Sequence, residues 1–294
     1  MKKVKVFKSE SGRDFMLDWY QKFKKALSFP VREEIVKTKF GETDILHTGP
    51  EDGIPVLLLH GAMAGAPYAL GELHDIPERW RMIAVNIMGQ SPVAEQVRLD
   101  FKSPEYADWL TEILDYLGLD KVVVAGVSWG GSVALRFAKH CPERVQGMVL
   151  MVPGSIVKGS SWKEFINVGF PMLRYQLFRT EANRDKAFSK ILTTHDPMWT
   201  PYLADAFQHY KIDFNVPPLL KPSDFATLEA PVFIVAADKD PFFPGEMLLK
   251  RAEVLFPNLV GTHLLENCHH SPSFAPEARA AFGQILERAL QMVT

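Results

Sequence analysis

A serine between two glycines is the first candidate for chemistry in this 294-residue chain. Ser128 lies in the segment Gly126-Val127-Ser128-Trp129-Gly130, where a run of small and β-branched apolar residues gives way to a helix-compatible pattern. Glycine on each side removes the Cβ atoms that would collide where a strand turns directly into a helix, so the serine hydroxyl can project from a strained backbone. Such a hydroxyl becomes a nucleophile when a neighbouring base accepts its proton.

The Gly-x-Ser-x-Gly pattern alone is weak evidence for catalysis. About one chain in ten of this length would contain it by chance, because glycine and serine each make up about 7% of residues. Its setting carries more weight. An apolar strand over 121–125 precedes the serine and a helix over 129–140 follows it, which is the setting of a nucleophile elbow.

Buried strands alternate with helices on both sides of this unit, which predicts an α/β fold with a mainly parallel sheet and helices on both faces. Continuous apolar runs predict strands at 55–60, 81–87, 121–125, 145–152, 230–237 and 261–265. Amphipathic patterns predict helices at 103–117, 129–140, 245–255 and 275–292. Ser103 is the expected N-cap of the first of these, with Pro104 in its first position and Gly118 after its end.

Two further elements precede this core. An amphipathic helix over about 11–28 is expected to pack on the core through one face, made of Phe15, Trp19, Phe23 and Leu27. Alternating strands at 34–40 and 44–48 predict an edge hairpin with its turn at 41–43.

The alternation stops after Gly154, where helical segments rich in large aromatic side chains begin. We therefore expect a core formed by residues 1–154 and 225–294, and a helical cap formed by residues 155–224. The aromatic residues of the cap are expected both to pack together and, in part, to line an apolar pocket.

The elbow and its surrounding strands resemble the α/β-hydrolase superfamily, and the resemblance covers nearly the whole chain outside the cap. It implies the α/β-hydrolase fold and a catalytic triad in the chain order Ser, Asp or Glu, His, each residue following a strand of the sheet. This sequence offers all three in that order, beginning with Ser128.

The family pattern selects the acid after the strand at 232–237. Two variable residues and then an acid before proline are usual there, which matches Asp240 before Pro241. Asp238 is the alternative, and its expected role is that of a turn or capping residue.

The family pattern for the base is Asn-Cys-Gly-His. The segment Asn267-Cys268-His269-His270 matches it, with His269 where glycine is usual, so His270 is the expected base. Cys268 is expected to be a buried packing residue. No metal site is expected, since no further ligand cluster accompanies this segment.

The resemblance also implies two backbone donors for the oxyanion that forms during acyl transfer. One is the N–H group of Trp129, the residue after the nucleophile. The other follows His60-Gly61, where Ala62 is favoured and Met63 is the alternative.

These residues together predict a serine hydrolase that cleaves carboxylic esters through an acyl-enzyme, with a small apolar or aryl/alkyl acid as the acyl group. The chain looks most similar to bacterial carboxylesterases, including the naproxen-type esterase group. Asn86 departs from the family, which usually has an aspartate there. Thioesterase, lactonase, perhydrolase and carbon–carbon hydrolase activities use the same parts, and a non-catalytic ligand-binding member of the fold is a further alternative.

Composition favours a small-molecule substrate over a macromolecular partner. A net charge of −2 gives no attraction to nucleic acid or to an anionic membrane. Two cysteines argue against a disulfide framework, and the lysine-interrupted N-terminus lacks the apolar core of a signal peptide. We therefore expect a cytoplasmic protein with no cofactor, no nucleic-acid partner and no membrane partner.

Overall fold

The computed structural model describes residues 5–73, 79–213 and 217–294. Within these residues one eight-stranded sheet has the order β1-β2-β4-β3-β5-β6-β7-β8. Its strands are β1 (Arg32–Thr38), β2 (Gly41–Thr48), β3 (Ile54–Leu59), β4 (Trp80–Val85), β5 (Val122–Val127), β6 (Val145–Met151), β7 (Val232–Ala237) and β8 (Leu259–Leu265). Strand β2 is antiparallel to both of its neighbours, whereas all other adjacent strands are parallel.

Ten α-helices accompany the sheet in the described residues. They are α1 (Glu10–Lys25), α2 (Ala66–Glu72), α3 (Glu105–Tyr116), α4 (Trp129–His140), α5 (Ser161–Glu164), α6 (Phe170–Leu177), α7 (Glu181–Phe188), α8 (Trp199–His209), α9 (Gly245–Leu255) and α10 (Pro276–Met292). None of them has both the length and the apolar character that a membrane crossing requires.

Apolar side chains alternate between the two faces of the sheet, as the period of a strand dictates. In β3, Leu57 and Leu59 pack on the face covered by α3, α4 and α9, while Val56 and Leu58 pack on the face covered by α2 and α10. Strands covered on both sides must be apolar throughout, which explains the continuous runs in the sequence. The predicted parallel sheet with helices on both faces is therefore confirmed.

Three local predictions near the sheet need correction. Helix α2 was not expected, because its seven residues follow a small-residue loop and are too few to show an amphipathic helical pattern. The hairpin turn lies at Lys39-Phe40, before Gly41 and not at 41–43, since Thr38 pairs with Gly41. Helix α3 begins one residue later than expected, so Pro104 occupies the N-cap position instead of Ser103.

Helix α1 packs on the core as expected, but its buried face is rotated from the expected one. Phe23 is buried and Trp19 and Leu27 are partly buried, as expected. Phe15 is exposed, and Met16 and Tyr20 are buried instead. The buried face packs between α2 and α8, where it meets Tyr68 and Tyr202. Helix α1 therefore contacts the helices between β6 and β7 as well as the core, which the pattern of a single helix cannot reveal.

The chain between β6 and β7 is mainly helical in its described part, as expected. It contains α5 to α8, with a π-helical turn (Phe165–Gly169) joining α5 to α6, and a short 3-10 turn (Pro222–Phe225) before β7. We refer to residues 155–224 as the helical insertion. Its own core is formed by residues of α6, α7 and α8, including Met172, Phe188 and Ala204.

Candidate active site

The strand β5 and the helix α4 meet at Ser128, which has a left-handed backbone (φ 50°, ψ −108°). Its N–H donates to the carbonyl of Met151 (2.9 Å), and its carbonyl accepts from Ser132 (3.2 Å) and Gly154 (3.1 Å). These three bonds hold a conformation that is costly for a residue with a Cβ. The side chain is consequently presented from a fixed backbone at the carboxyl edge of the sheet.

The flanking glycines allow this sharp connection because other backbone atoms lie against them. A Cβ at Gly130 would lie 2.1 Å from the carbonyl oxygen of Leu59, and a Cβ at Gly126 would lie 2.7 Å from the carbonyl oxygen of Gly130. Any larger residue would therefore push β3, β5 and α4 apart.

The predicted nucleophile, acid and base are brought together by three parallel strands. Ser128 follows β5, Asp240 follows β7 and His270 follows β8, so all three lie at the same edge of the sheet. The Nε2 atom of His270 lies 2.9 Å from Oγ of Ser128, and its Nδ1 atom lies 2.7 Å from Oδ2 of Asp240. A neutral imidazole in this position donates from Nδ1 and can accept the serine proton at Nε2.

Asp240 is buried, and every part of its carboxylate is bound. Oδ2 accepts from His270, while Oδ1 accepts from the N–H groups of Phe242 (2.8 Å) and Phe243 (3.1 Å). A carboxylate with backbone donors on one oxygen keeps the other oxygen aimed at the imidazole. Asp240 is thus fixed before any substrate arrives.

Asp238 has a different position from Asp240. Its carboxylate accepts from the N–H groups of Asn267 (2.9 Å) and Cys268 (2.8 Å), and these bonds lower its pKa against the opposing effect of desolvation. Asp238 therefore stabilises the turn that leads to His270 through these two hydrogen bonds and does not bind the imidazole.

The turn before His270 accommodates a histidine where the family usually has glycine. Asn267 is the left-handed residue of this turn (φ 54°), so the conformation that would favour glycine lies two residues before His269. Cys268 is buried beside Val152 and Ala237. Within the described parts of the chain, no group of three or more His, Cys, Asp or Glu side chains is placed to hold a metal ion.

The electrostatic surroundings of His270 include two carboxylates. Burial lowers its pKa, but the charge and hydrogen bond of Asp240, together with the charge of Glu72, outweigh burial and raise the pKa above its usual value. Glu72 ends helix α2, and burial raises its own pKa to about 7 against the lowering influence of His270 and Arg279. Arg279 also donates to the carbonyl of Gly71, which joins α10 to the end of α2.

The loop after β3 carries the two alternative oxyanion donors, and they differ in their hydrogen bonding. The N–H of Met63 donates to the side-chain oxygen of Gln90 (2.9 Å), and Met63 is itself left-handed (φ 50°). Among the described residues, neither the N–H of Ala62 nor that of Trp129 has a hydrogen-bond partner. Met63 therefore supports the loop, while the N–H groups of Ala62 and Trp129 remain able to bind an oxyanion.

His60 fixes the start of this loop. Its Nδ1 donates to the carbonyl of Gly61 (2.8 Å) and its Nε2 accepts from the N–H of Ile87 (2.9 Å), which joins the ends of β3 and β4. Burial lowers the pKa of His60 to about 4, so it is neutral at pH 7 and can make both bonds at once.

Comparison with known proteins identifies the family. Residues 56–282, more than three quarters of the chain, match the alpha/beta hydrolase family. The chain belongs to this family.

Relatives of this hydrolase include two proteins of Bacillus subtilis (strain 168). It is 23% identical to an uncharacterized carboxylesterase, nap, over 86% of each chain, and 26% identical to the carboxylesterase YbfK over 89% of this chain and 88% of the relative. Its fold is similar to the crystal structure of the naproxen esterase from Bacillus subtilis, with a TM-score of 0.77, 19% identity and coverage of 96% and 99%. The hydrolase is therefore carboxylesterase-like, and its predicted fold is confirmed.

The helical insertion of the hydrolase holds both loops of the candidate site. From α8, the hydroxyl of Tyr202 donates to the carbonyl of Met63. After α7, the hydroxyl of Thr193 donates to the carbonyl of Ser271 (2.6 Å) and accepts from the N–H of His269 (3.0 Å). The loops that carry the candidate oxyanion donor and the candidate base are thus both bonded to the insertion.

Sequence reasoning did not find Glu72, Gln90, Thr193 or Tyr202. Each is separated from its partner in the site by 27 to 198 positions along the chain, so no local sequence pattern links the two residues. Only Tyr202 carried a signal, as one of the aromatic residues expected in the insertion.

Proposed function

We propose that this protein is a serine hydrolase that cleaves carboxylic esters through an acyl-enzyme intermediate. The observation that carries the proposal is the single imidazole of His270 placed between Oγ of Ser128 (2.9 Å) and Oδ2 of Asp240 (2.7 Å). A serine hydroxyl becomes reactive when its proton has an oriented acceptor, and a buried carboxylate provides that orientation.

In the proposed acylation step, Oγ of Ser128 attacks the ester carbonyl carbon while Nε2 of His270 accepts the hydroxyl proton. The carbonyl electrons move to oxygen, which the N–H groups of Ala62 and Trp129 bind as an oxyanion. Each such donor contributes about 3 kcal/mol to lowering the barrier. The intermediate then expels the alkoxide, which leaves as an alcohol with the proton from His270, and the acyl group stays on Ser128.

Deacylation repeats the sequence with water as the nucleophile. His270 accepts a proton from the water as its oxygen attacks the acyl carbon, and then returns a proton to Oγ of Ser128 as the carboxylic acid leaves. Asp240, bonded to Nδ1 of His270, stabilises the imidazolium formed in each half-reaction.

We assign the second oxyanion donor to Ala62. The hydrogen bond from Met63 to Gln90 supports this assignment, since the N–H of Met63 would have to leave Gln90 before it could bind substrate. The positive end of helix α4 adds to the same electrostatic effect, because the helix begins at Trp129.

We propose a small apolar or aryl/alkyl acid as the acyl group, and a cap role for residues 155–224. Phe242 and Phe243 support an apolar preference, since their rings lie 5.1 and 5.7 Å from the imidazole of His270. The name of the naproxen esterase points to an aryl acid for that relative. The bonds from Tyr202 and Thr193 support the cap role, because they tie the insertion to the edge of the site.

A series of p-nitrophenyl esters with acyl chains of increasing length tests this function. We expect release of p-nitrophenol with a burst equal to the amount of enzyme, and a kcat/KM that rises as the apolar acyl chain lengthens. Esters of charged acids or sugars serve as the matched comparison, and a preference for them would contradict the apolar assignment. Faster turnover of the corresponding thioesters or lactones would instead favour those related activities.

A further inference from the structure

An exposed apolar stripe runs along the outside of the helical insertion. Helix α5, the π-helical turn and α6 form one continuous helical stretch over residues 161–177. Seven large apolar side chains on this stretch and just after it are 48% to 70% exposed. We call them the outer stripe: Trp162, Phe165, Ile166, Phe170, Leu173, Leu177 and Phe178.

The outer stripe is not needed to hold the helix in place. The opposite side of the same stretch is buried, since Val168, Met172 and Tyr175 pack with Phe188 and Ala204 of α7 and α8. The helix therefore has one apolar face that packs within the insertion and a second apolar face that is exposed. Contiguous exposed apolar surface of this kind is uncommon on soluble proteins and marks interaction sites.

Positive charge is concentrated around the stripe. Residues 158–190 contain seven Lys and Arg against three Asp and Glu, a net charge of +4, whereas the rest of the chain contains 26 against 32, a net charge of −6. Two of the three acids, Glu181 and Asp185, are paired with Arg184 at 3.7 and 2.9 Å. Six of the seven cations in the segment therefore lie outside this cluster, which has a net charge of −1.

Basic and apolar groups also meet in a groove between α6 and α7. It is lined by Ile166, Phe170, Pro171, Arg174, Asn183 and Lys186. Two cationic side chains at the edge of an apolar groove suit a ligand with an anionic head and a hydrocarbon body.

We propose that the outer stripe docks this hydrolase on anionic lipid bilayers. An amphipathic helix with aromatic and aliphatic residues on one side and Lys and Arg around them is typical of proteins that lie in the interface of a membrane. Anionic lipids complement the +4 segment, whereas a symmetric contact between two copies of the chain would bring two +4 surfaces together. No membrane partner was expected from the net charge of −2 of the whole chain. That value is the sum of this basic segment and a more acidic remainder.

Vesicle co-sedimentation tests the docking, with Ser128→Ala protein so that binding is measured without turnover. Vesicles contain phosphatidylglycerol and phosphatidylcholine, or phosphatidylcholine alone. We expect binding to the anionic vesicles that weakens at least tenfold at high salt, because exposed charges are screened within about 8 Å at physiological ionic strength and over shorter distances above it. No binding to anionic vesicles at low salt would overturn the proposal.

Paired variants test whether the outer stripe binds the vesicles or whether any exposed apolar residues do so. Phe170→Ser with Leu177→Ser is expected to weaken binding at least tenfold, whereas Met247→Ser with Val254→Ser, on the exposed side of α9 and at 55% and 58% exposure, leaves it unchanged. Arg174→Glu with Arg179→Glu is expected to remove the salt-dependent part of the binding to anionic vesicles. If the α9 control loses as much vesicle binding as the stripe variant, or if the stripe variant loses none, the proposal is overturned.

Sedimentation velocity without lipid distinguishes the alternative partner. The proposal predicts that the wild-type chain and the Phe170→Ser/Leu177→Ser variant sediment alike over the same concentration range. A wild-type dimer that this variant abolishes would assign the stripe to a second copy of the chain and overturn lipid docking.

Discussion

Two carboxylates raise the pKa of His270, one through a hydrogen bond and its charge and the other through its charge alone. Asp240 binds its Nδ1 directly, with the remaining oxygen of the carboxylate held by two backbone donors. Glu72 acts through its charge and has a pKa of about 7, so its ionisation changes in the range where a histidine also titrates. In the proposed mechanism, the protonation of the base thus depends on a second residue at the end of α2.

The acid limb of the pH profile is predicted to reflect both groups. His270 must be neutral to accept the proton of Ser128, and its pKa is raised, so kcat/KM for a neutral ester should fall as the pH drops through a midpoint above about 6.5. Glu72→Gln removes a negative charge that stabilises the imidazolium. We therefore expect its midpoint to lie at lower pH than that of the wild type.

The control for this shift is Glu253→Gln, which removes a carboxylate from the exposed side of α9. Its pH profile should overlay that of the wild type. A Glu72→Gln midpoint that is unchanged, or that moves to higher pH, would show that Glu72 does not act on the base.

Among the elements, those that carry the candidate triad were the most predictable. Strands covered on both sides must be apolar, so β5, β7 and β8 are visible as runs in the sequence, and a residue that follows each run must lie at one edge of a parallel sheet. Ser128, Asp240 and His270 each follow one of these runs, so the sequence predicts that they lie close together, and the family pattern selects Asp240 over Asp238. Helix α4 and helix α9 were predicted with the bounds that the structure has.

Elements that depend on distant contacts were less predictable. The seven residues of α2 have no side-chain cap and form only about two turns, and the helix is held by packing against α1 and the sheet. The buried face of α1 is set by its position between α2 and α8, so the choice of Met16 and Tyr20 over Phe15 could not be predicted from α1 alone. Hydrogen bonds between the insertion and the site loops leave no local pattern either.

Thr193 provides a test of the connection between the insertion and the base. Thr193→Val keeps the shape of the side chain but leaves the N–H of His269 without its acceptor. It also removes one of two donors to the carbonyl of Ser271, which still accepts from the backbone N–H of Thr193 (3.1 Å). Because the bond of His269 is part-buried, its loss costs about 1–2 kcal/mol, toward the low end of the range for an unpaired buried group. Because the loop that carries His270 would lose its position, we expect kcat to fall by about tenfold, equivalent to about 1.4 kcal/mol, with little change in KM.

The neighbouring residue gives the matched control. Thr194 is exposed and bonds to the hydroxyl of Ser273 at the surface (3.1 Å), so Thr194→Val should leave kcat unchanged. If Thr193→Val changes KM alone, or if both variants lose the same activity, Thr193 does not position the base.

At the scale of the whole molecule, the helical insertion is tied to the rest of the chain from several directions. The indole N–H of Trp19 in α1 donates to Asp205 of α8 (2.9 Å), and the backbone of Val6 and Lys8 bonds to Lys211 and His209. The bonds of Tyr202 and Thr193 to the site loops add two further connections. The insertion and the core are therefore expected to unfold together.

Trp19→Phe tests this coupling. It removes the hydrogen bond to Asp205 while keeping an aromatic ring, and should lower the free energy of unfolding by about 1–3 kcal/mol because a half-buried carboxylate loses its donor. Activity and circular dichroism should be lost at the same lowered temperature. Trp162→Phe, at 70% exposure, is the control and should leave the transition unchanged. Activity loss well below the unfolding transition would show that the insertion detaches first.

Active-site labelling with a fluorophosphonate tests whether Ser128 is a nucleophile activated by His270. Mass spectrometry of the digested protein should find one phosphonyl group, on Ser128. The label should be absent from Ser128→Ala, and its rate of formation should fall by at least a hundredfold in His270→Ala, since general base catalysis typically contributes about 10²–10⁴-fold. A folded wild-type protein that stays unlabelled, or a label on another residue that persists in Ser128→Ala, would show that Ser128 is not the nucleophile.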